Sequence, residues 1–329
     1  MTDVSCSATA ARFADVDAVV IGRNEGARLV ACLQSLSGQV NRIIYVDSGS
    51  TDGSLEAAEA LGAEIVSLDM SLPFTAARAR NAGLERLNAG HAGALVQFLD
   101  GDCSLVSDWL PAAVAFFADR PDVAVVCGRR REEAPDVSIY NHLCDLEWDT
   151  PVGEATACGG DALMRRSAVG QVGGYRDSLI AGEEPEMCLR LRRAGWKIWR
   201  IDAEMTRHDA RMTRFGQWWN RSRRAGHAFA EGAYLHGAPP ERHWVAETRR
   251  ALVWGALLPV LTLTLLAVAP PAAGLVALAY PAQFLRLSLR DGPKRAWFSI
   301  LGKFAEALGV CEFHLNRIRG RHRGLIEYK

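Results

Sequence analysis

Two carboxylates one residue apart, Asp100 and Asp102, close the stretch A-L-V-Q-F-L-D-G-D that starts at Ala94. The apolar run before them has strand length, which sets both acids where a buried strand meets solvent at its carboxyl end. Oxygen ligands in that setting suit a hard divalent cation, Mg²⁺ or Mn²⁺, whose remaining positions are commonly filled by substrate phosphates. The same Asp-Gly-Asp also serves as a plain polar turn, so its surroundings have to decide. A second acid pair, Glu183 and Glu184, stands before Pro185 and a basic amphipathic stretch. It reads either as a helix N-terminal cap or as a general base able to take a proton from a hydroxyl. His208, in T-R-H-D, is either structural or a metal ligand. Gly159 and Gly160 allow a bound ligand to approach the backbone, or simply make a tight turn. Gln217, Arg221 and Arg224 share one helical side. They suit an anionic ligand, or else the polar face of an interfacial helix beside Trp218 and Trp219.

These residues need a scaffold, and the first seventy residues supply one. A-V-V-I ends at Gly22 and a polar turn, a helix-period stretch runs from Ala27 to Leu36, and a strand at 42–46 stops at D-S-G-S-T-D-G-S. A helix around 55–61 and a short strand at 64–68 follow. Strand, helix, strand, helix, strand is the pattern of a parallel sheet with right-handed crossovers, and such sheets bind ligands at the carboxyl ends of their strands. Three polar turns fall at that edge: 22–25, 47–53 and 100–102. A helix over 74–87 carries Arg78 and Arg80, a helix is expected over 109–118, and strands near 123–127 and 197–201.

Composition removes several classes. Lys plus Arg and Asp plus Glu both number 38, which argues against a nucleic-acid partner. The excess of Arg, Lys and His over 207–250 and beyond Arg286 points instead to an anionic partner such as phosphate or a lipid headgroup. Eight scattered cysteines without a C-x-x-C pair read as reduced, buried thiols. The first fifteen residues carry no signal-peptide pattern. No G-x-G-x-x-G follows the first strand and no G-x-x-x-x-G-K-[ST] occurs, which disfavours dinucleotide dehydrogenases and P-loop enzymes.

Four ordered blocks, V-V-I-G-R-N-E, I-I-Y-V-D-S-G-S-T-D-G-S, A-R-N-A-G-L and F-L-D-G-D, resemble those of the family 2 glycosyltransferases. The resemblance implies an α/β fold of the GT-A type, a Rossmann-like, mostly parallel sheet flanked by helices. It implies that Asn24, Glu25, Asp47, Arg80 and Asp100 line the donor pocket, with Asp100 and Asp102 as the metal-binding D-x-D motif and His208 as a further ligand. C-G-G-D is similar to the block that borders the acceptor, with Gly159 and Gly160 in it, and Q-W-W-N-R-S-R-R resembles the Gln-x-x-Arg-Trp-like segment of membrane glycosyltransferases, which implies that Gln217, Arg221 and Arg224 contact diphosphate or acceptor. Glu183 and Glu184 stand where the family has Glu-Asp, which makes Glu184 the implied base, one methylene longer than usual. Ile21-Gly22-Arg23 departs from the family's Pro-x-Tyr. The implied chemistry is inverting transfer of a sugar from a nucleotide-diphosphate donor, a UDP-sugar, to a lipid-linked or polysaccharide-precursor hydroxyl. The alternatives are a sugar nucleotidyltransferase, whose Gly-rich basic loop is missing, and a non-catalytic nucleotide-sugar scaffold.

From Leu252 to Ala269 no charge occurs, Pro270-Pro271 follow, and a second apolar arm begins at Ala272. The sequence therefore predicts an N-terminal tail (1–14), a catalytic domain (15–235) and a C-terminal membrane hairpin (236–329) with arms near 252–269 and 272–289 and an amphipathic last helix. Arginines at both outer ends place them on the cytosolic side of the inner membrane, in a two-pass or re-entrant arrangement among membrane lipids. Oligomeric state has no signature in the sequence.

Overall fold

The computed structural model describes residues 15–90 and 93–320; the expected N-terminal tail lies outside them. The chain divides into two compact units, Met1–Leu179 with Glu183–Arg211, and Ile180–Gly182 with Met212–Lys329. The division at 211 precedes the expected boundary at 235. Helix Phe215–His236 goes with the second unit, where it packs against the last helix.

Among the described residues, the first unit is built on one sheet of nine strands: β1 (Val16–Gly22), β2 (Ile43–Asp47), β3 (Glu64–Ser67), β4 (Leu95–Asp100), β5 (Cys103–Leu105), β6 (Val123–Glu132), β7 (Gly153–Ala155), β8 (Ala162–Arg165) and β9 (Lys197–His208). Their order is β3-β2-β1-β4-β8-β6-β9-β5, with β7 also on β9. β3, β2, β1 and β4 pair in parallel, as their near-continuous apolar runs require of strands covered on both faces. β8 then enters antiparallel between β4 and β6, so the sheet is mixed from that point on. The crossovers are α1 (Ala27–Leu36), α2 (Ser54–Ala60) and α3 (Ala76–Asn88), close to their expected spans.

β6 and β9 extend well past the apolar segments that announce them, to Glu132 and His208. They pair in parallel with register breaks around Cys127, Arg129 and Arg130, marking bulges that re-aim the polar ends of both strands. The apolar core runs through the whole sheet, from Val16, Val19 and Tyr45 through Phe98 and Leu99 to Val125, Leu163 and Ile198. Trp109 is fully buried within it and donates its indole N–H to Gln97 at 2.8 Å, which satisfies both polar groups of the interior. Among the described cysteines six are buried and Cys311 is exposed.

The second unit is helical. Phe215–His236 (α8 once α4, Trp109–Ala118, α5, Ile139–Trp148, α6, Arg166–Gln171, and α7, Glu183–Arg193, are counted) runs beside the last helix, Pro293–Ile318. Trp218 meets Phe298, His227 meets Phe313, and Arg317 stacks on Tyr234, so the two helices point the same way. Their backbones nearly touch. A Cβ at Gly226 would overlap the carbonyl of Glu306, and one at Gly309 would overlap that of Arg223, so only glycine fits at the crossing.

Between those helices lie two apolar ones. The first, Val245–Val268, is long and apolar enough to cross a membrane, and the second, Pro270–Asp291, is as well; only 6% of the apolar window in each is buried. The first contains a π-helical turn at Val253–Leu257. Pro259 has no N–H to give to Gly255 and its ring crowds that carbonyl, and a widened turn relieves the clash. The break between the arms falls at Ala269, immediately before Pro270-Pro271, where the sequence places it.

Candidate active site

The register of the sheet assembles the first cluster. β5 pairs with β9 so that Cys103 lies opposite His208, and β6 pairs with β9 so that Glu132 lies opposite the same histidine. Asp102, one residue before β5, thereby reaches the imidazole: its Oδ2 is 3.3 Å from His208 Nε2, while Nδ1 faces Glu132 Oε2 at 3.7 Å. Trp148 covers the ring edge-on at 4.7 Å. Glu132 accepts from Asn141 Nδ2 and the backbone of Ala210, which fixes it behind the histidine.

A carboxylate and an imidazole backed by a second carboxylate form a donor set that fits a divalent cation, with further positions left to a phosphate ligand. Asp102, His208 and Cys103 all have a ligand atom within 4.8 Å of one another. Burial pushes the Cys103 thiol well above its usual range, and sulfur is a soft donor that suits a hard cation less well than a carboxylate oxygen does. Asp100 falls in a separate group with Asp161 and Cys103.

Arg80 organises the second cluster. Thr75 caps α3 by accepting from the Arg78 backbone at 3.1 Å, and its own hydroxyl donates to Asp177 O at 2.7 Å. That fixes the first turn, from which Arg80 enters the interior, 2% exposed. Its guanidinium meets three acids: Nη2 to Asp100 Oδ1, Nη1 to Glu183 Oε1 and Nη1 to Glu184 Oε1, each 2.8 Å. Tyr175 lies 5.6 Å from it across the ring face.

Glu183 and Glu184 form the first turn of α7, where the helix dipole favours negative charge. The cap-like reading and the proximity to the metal edge therefore coexist at one place. Burial, together with the neighbouring Glu183 charge and against the pull of Arg80, pushes Glu184 up to about 7. Glu186 serves the helix instead, paired with Arg190 at 2.6 Å and Arg176 at 3.3 Å.

Asp161 joins the two clusters. Its Oδ1 accepts from the Asp100 backbone N–H at 3.1 Å, its Oδ2 accepts from the Thr206 hydroxyl at 2.8 Å, and Arg130 faces it at 2.8 Å and Asp100 at 3.7 Å. Gly160 is a matter of space: a Cβ there would stand 2.6 Å from Arg80 Nη2 and 2.9 Å from Asp100 Oδ2. At Gly159 the nearest side chain to such a Cβ is Arg130, at 3.9 Å.

The other residues that the family resemblance assigns to the donor pocket hold the loops. Asp47 accepts from the backbones of Gly49 and Ser50 at 2.9 Å and from the Tyr45 hydroxyl at 3.1 Å. Asn24, at a positive φ of 55°, laces the first two loops: its Oδ1 accepts from Thr51 N at 2.8 Å and its N–H donates to Ser50 Oγ at 2.9 Å. Glu25 pairs with Arg28, whose Nη1 donates to Asp209 O at 3.2 Å. Gln217, Arg221 and Arg224 belong to the second unit, on α8, where Gln217 accepts from the backbones of Thr213 and Arg214 at 3.0 Å and so caps the helix.

The structure thus brings Arg80, Asp100, Glu183 and Glu184 into one network and Asp102 and His208 into another. Arg130, Glu132 and Trp148 have no place in the sequence reading. The signal for the first two was the alternation in G-R-R-R-E, which puts Arg130 and Glu132 on one face of a strand that continues beyond its apolar part.

A mixed sheet with a metal-suited acid at the end of its fourth strand and a buried acid pair beside it defines a GT-A fold, the architecture of enzymes that handle nucleotide sugars. The comparisons agree. Residues 17–173 match the model described as glycosyl transferase family 2, and this is the family to which the chain belongs. The pre-mycofactocin glycosyltransferase of Mycobacterium tuberculosis is 30% identical over 235 residues, covering 68% of this chain and 48% of that protein. The succinoglycan biosynthesis protein ExoA of Rhizobium meliloti is 30% identical over 197 residues, 54% of this chain and 58% of that protein. The chain spans about half the length of these curated relatives. In fold it is similar to a mannosyltransferase from Pyrobaculum calidifontis solved with GDP-Man and Mn²⁺, with a TM-score of 0.62, 20% identity and coverage of 90% of this chain and 87% of that one. A glucosyl-3-phosphoglycerate synthase from Mycobacterium tuberculosis follows at a TM-score of 0.50, with 18% identity over 73% of this chain and 87% of that one.

Proposed function

We propose that the chain is an inverting, metal-dependent glycosyltransferase that moves a sugar from a nucleotide-diphosphate donor, a UDP-sugar, to the hydroxyl of a lipid-linked or polysaccharide-precursor acceptor at the cytosolic face of the inner membrane. The observation that carries this reading is the arrangement around Arg80. One guanidinium joins the donor-side acid Asp100 to the acid pair at the start of α7, 2.8 Å from each partner.

In the proposed reaction the acceptor oxygen attacks the anomeric carbon. The bond from that carbon to the diphosphate oxygen breaks with its electron pair, and Glu184 takes the acceptor's proton. A base whose pKa is lifted to about 7 is matched to that task near neutral pH. Arg80 orients Glu183 and Glu184, and Asp161 and Arg130 hold Asp100. Asp102 and His208 would hold a Mg²⁺ or Mn²⁺ ion, whose chemistry there is to offset charge on the leaving diphosphate. Asn24, Glu25 and Asp47 position the two loops for the nucleotide, Gly159 and Gly160 border the acceptor side, and Gln217, Arg221 and Arg224 contribute contacts to diphosphate or acceptor. The apolar arms of the second unit support membrane attachment, in a two-pass or re-entrant hairpin.

A donor screen tests the reading. Full-length protein in detergent is offered UDP-sugars and GDP-mannose with and without Mn²⁺, and release of the nucleoside diphosphate is followed. Turnover of at least one donor that stops on chelation supports the proposal; no turnover and no binding of any donor would overturn it. In Glu184→Gln, donor binding should persist while turnover falls by roughly 10²–10⁴-fold, the usual contribution of a general base.

A further inference from the structure

At the base of the apolar hairpin, three helices of the second unit enclose a cavity of about 360 Å³, within the ~300–1,000 Å³ range of small-ligand clefts. Arg250 comes from the first apolar helix, Arg286 and Arg290 from one side of the second, and Lys303 from the last helix. Trp254, Gln283 and Ser299 complete the polar and aromatic part of the lining, which contains no acid. The nearby carboxylates pair with these cations from outside the lining: Glu247 with Arg250, Asp291 with Arg290 and Glu306 with Lys303. Arg286 forms no ion pair among the described residues.

We propose that this cavity binds the phosphate headgroup of an anionic membrane lipid. Four convergent cations without a lining acid call for a multiply accepting anion. The position selects its source. Arg250 stands just ahead of the first apolar arm and Arg286 and Arg290 close the second, so the cavity opens where both arms meet the headgroup layer. Leu257, Val260, Leu263, Leu285 and Leu289 are exposed on those arms, a surface that suits acyl chains. Trp254 packs edge-on to Tyr280 at 5.8 Å, an aromatic pair of the kind that settles at the membrane interface. Basic pockets between membrane helices are a recurrent means of holding anionic headgroups. The inference stands apart from sugar transfer and survives or fails independently of it.

The test uses full-length protein in a neutral detergent, with thermal unfolding read against added short-chain phosphatidylglycerol, phosphatidylcholine or inorganic phosphate. Saturable stabilisation is expected with phosphatidylglycerol alone. The half-saturating concentration should rise at least about tenfold in Arg286→Ala/Arg290→Ala, since each basic group near an anionic headgroup contributes appreciably. Lys294→Ala/Arg295→Ala removes the same charge from outside the lining and should retain the response. Equal stabilisation by phosphatidylcholine, an equal response to inorganic phosphate, or the same loss in the Lys294/Arg295 variant would each overturn the proposal.

Discussion

Arg80 concentrates the electrostatics of the first unit in a single side chain. Replacing it with Met would leave Asp100, Glu183 and Glu184 facing one another in a buried site. Removing one partner from such a network costs about 3–5 kcal/mol, and chemical denaturation of Arg80→Met should register a loss of that order. The carboxylates then escape repulsion by taking up protons, so the variant should lose less stability at pH 5 than at pH 8. Glu184 makes a separate, kinetic prediction. Its pKa is raised above the usual carboxylate value, so it is protonated and inactive as a base below about 7. The kcat/KM of the native chain should rise about tenfold per pH unit up to that point and then level, and a profile flat from pH 5 to 8 would remove Glu184 as the base. In the proposed metal site Glu132 would act through His208. Glu132→Gln should weaken Mn²⁺ affinity by roughly 10–100-fold, the usual effect of losing an outer carboxylate, and Mn²⁺ titration of the protein without donor reads it directly.

At the scale of elements, the glycine before Asp161 ties a loop to a strand end. Gly160→Ala has to displace either Arg80 or Asp100, because the added carbon would sit 2.6 Å from one and 2.9 Å from the other. Donor affinity should fall while the sheet stays folded, and isothermal titration alongside circular dichroism separates the two effects. The parallel half of the sheet was legible because V-D-A-V-V-I-G and I-I-Y-V-D are buried on both faces, and such strands announce themselves as unbroken apolar runs. Asp100, Asp102 and the acid pair were legible for the same reason: each stands where a strand or helix begins or ends. The far half was legible only at the apolar starts of β6 and β9, near 123–127 and 197–201. β6 and β9 carry R-R-R-E and D-A-E-M-T-R-H into the sheet, and charges mask a strand whenever they are needed at a site rather than on a surface. His208 could be suspected from its type, yet its partner Glu132 is 76 residues away and meets it only through the β6–β9 register. Asp47 and Asn24 show the converse limit, since their side chains spend their hydrogen bonds on loop backbones that no motif specifies.

For the molecule as a whole, the exposed leucines of the two apolar helices set the expected behaviour. The chain should stay with the membrane fraction through an alkaline wash. Leu257→Lys/Val260→Lys, both exposed near the middle of the first span, should shift it toward the soluble fraction, because a charge at the centre of a span costs about 2.5–3.5 kcal/mol on the insertion scale. The crossing of the 215–236 and 293–318 helices has a thermal consequence. Gly226 and Gly309 let main chain meet main chain, and that close approach brings Trp218 onto Phe298 and His227 onto Phe313, with Trp218 and Phe313 both withdrawn from water. Apolar surface released to water is what gives unfolding its large heat capacity change. Separating these two helices would release the buried faces of Trp218 and Phe313, so the junction should carry a heat capacity change of its own, and cooling or a detergent that weakens apolar contacts should loosen it.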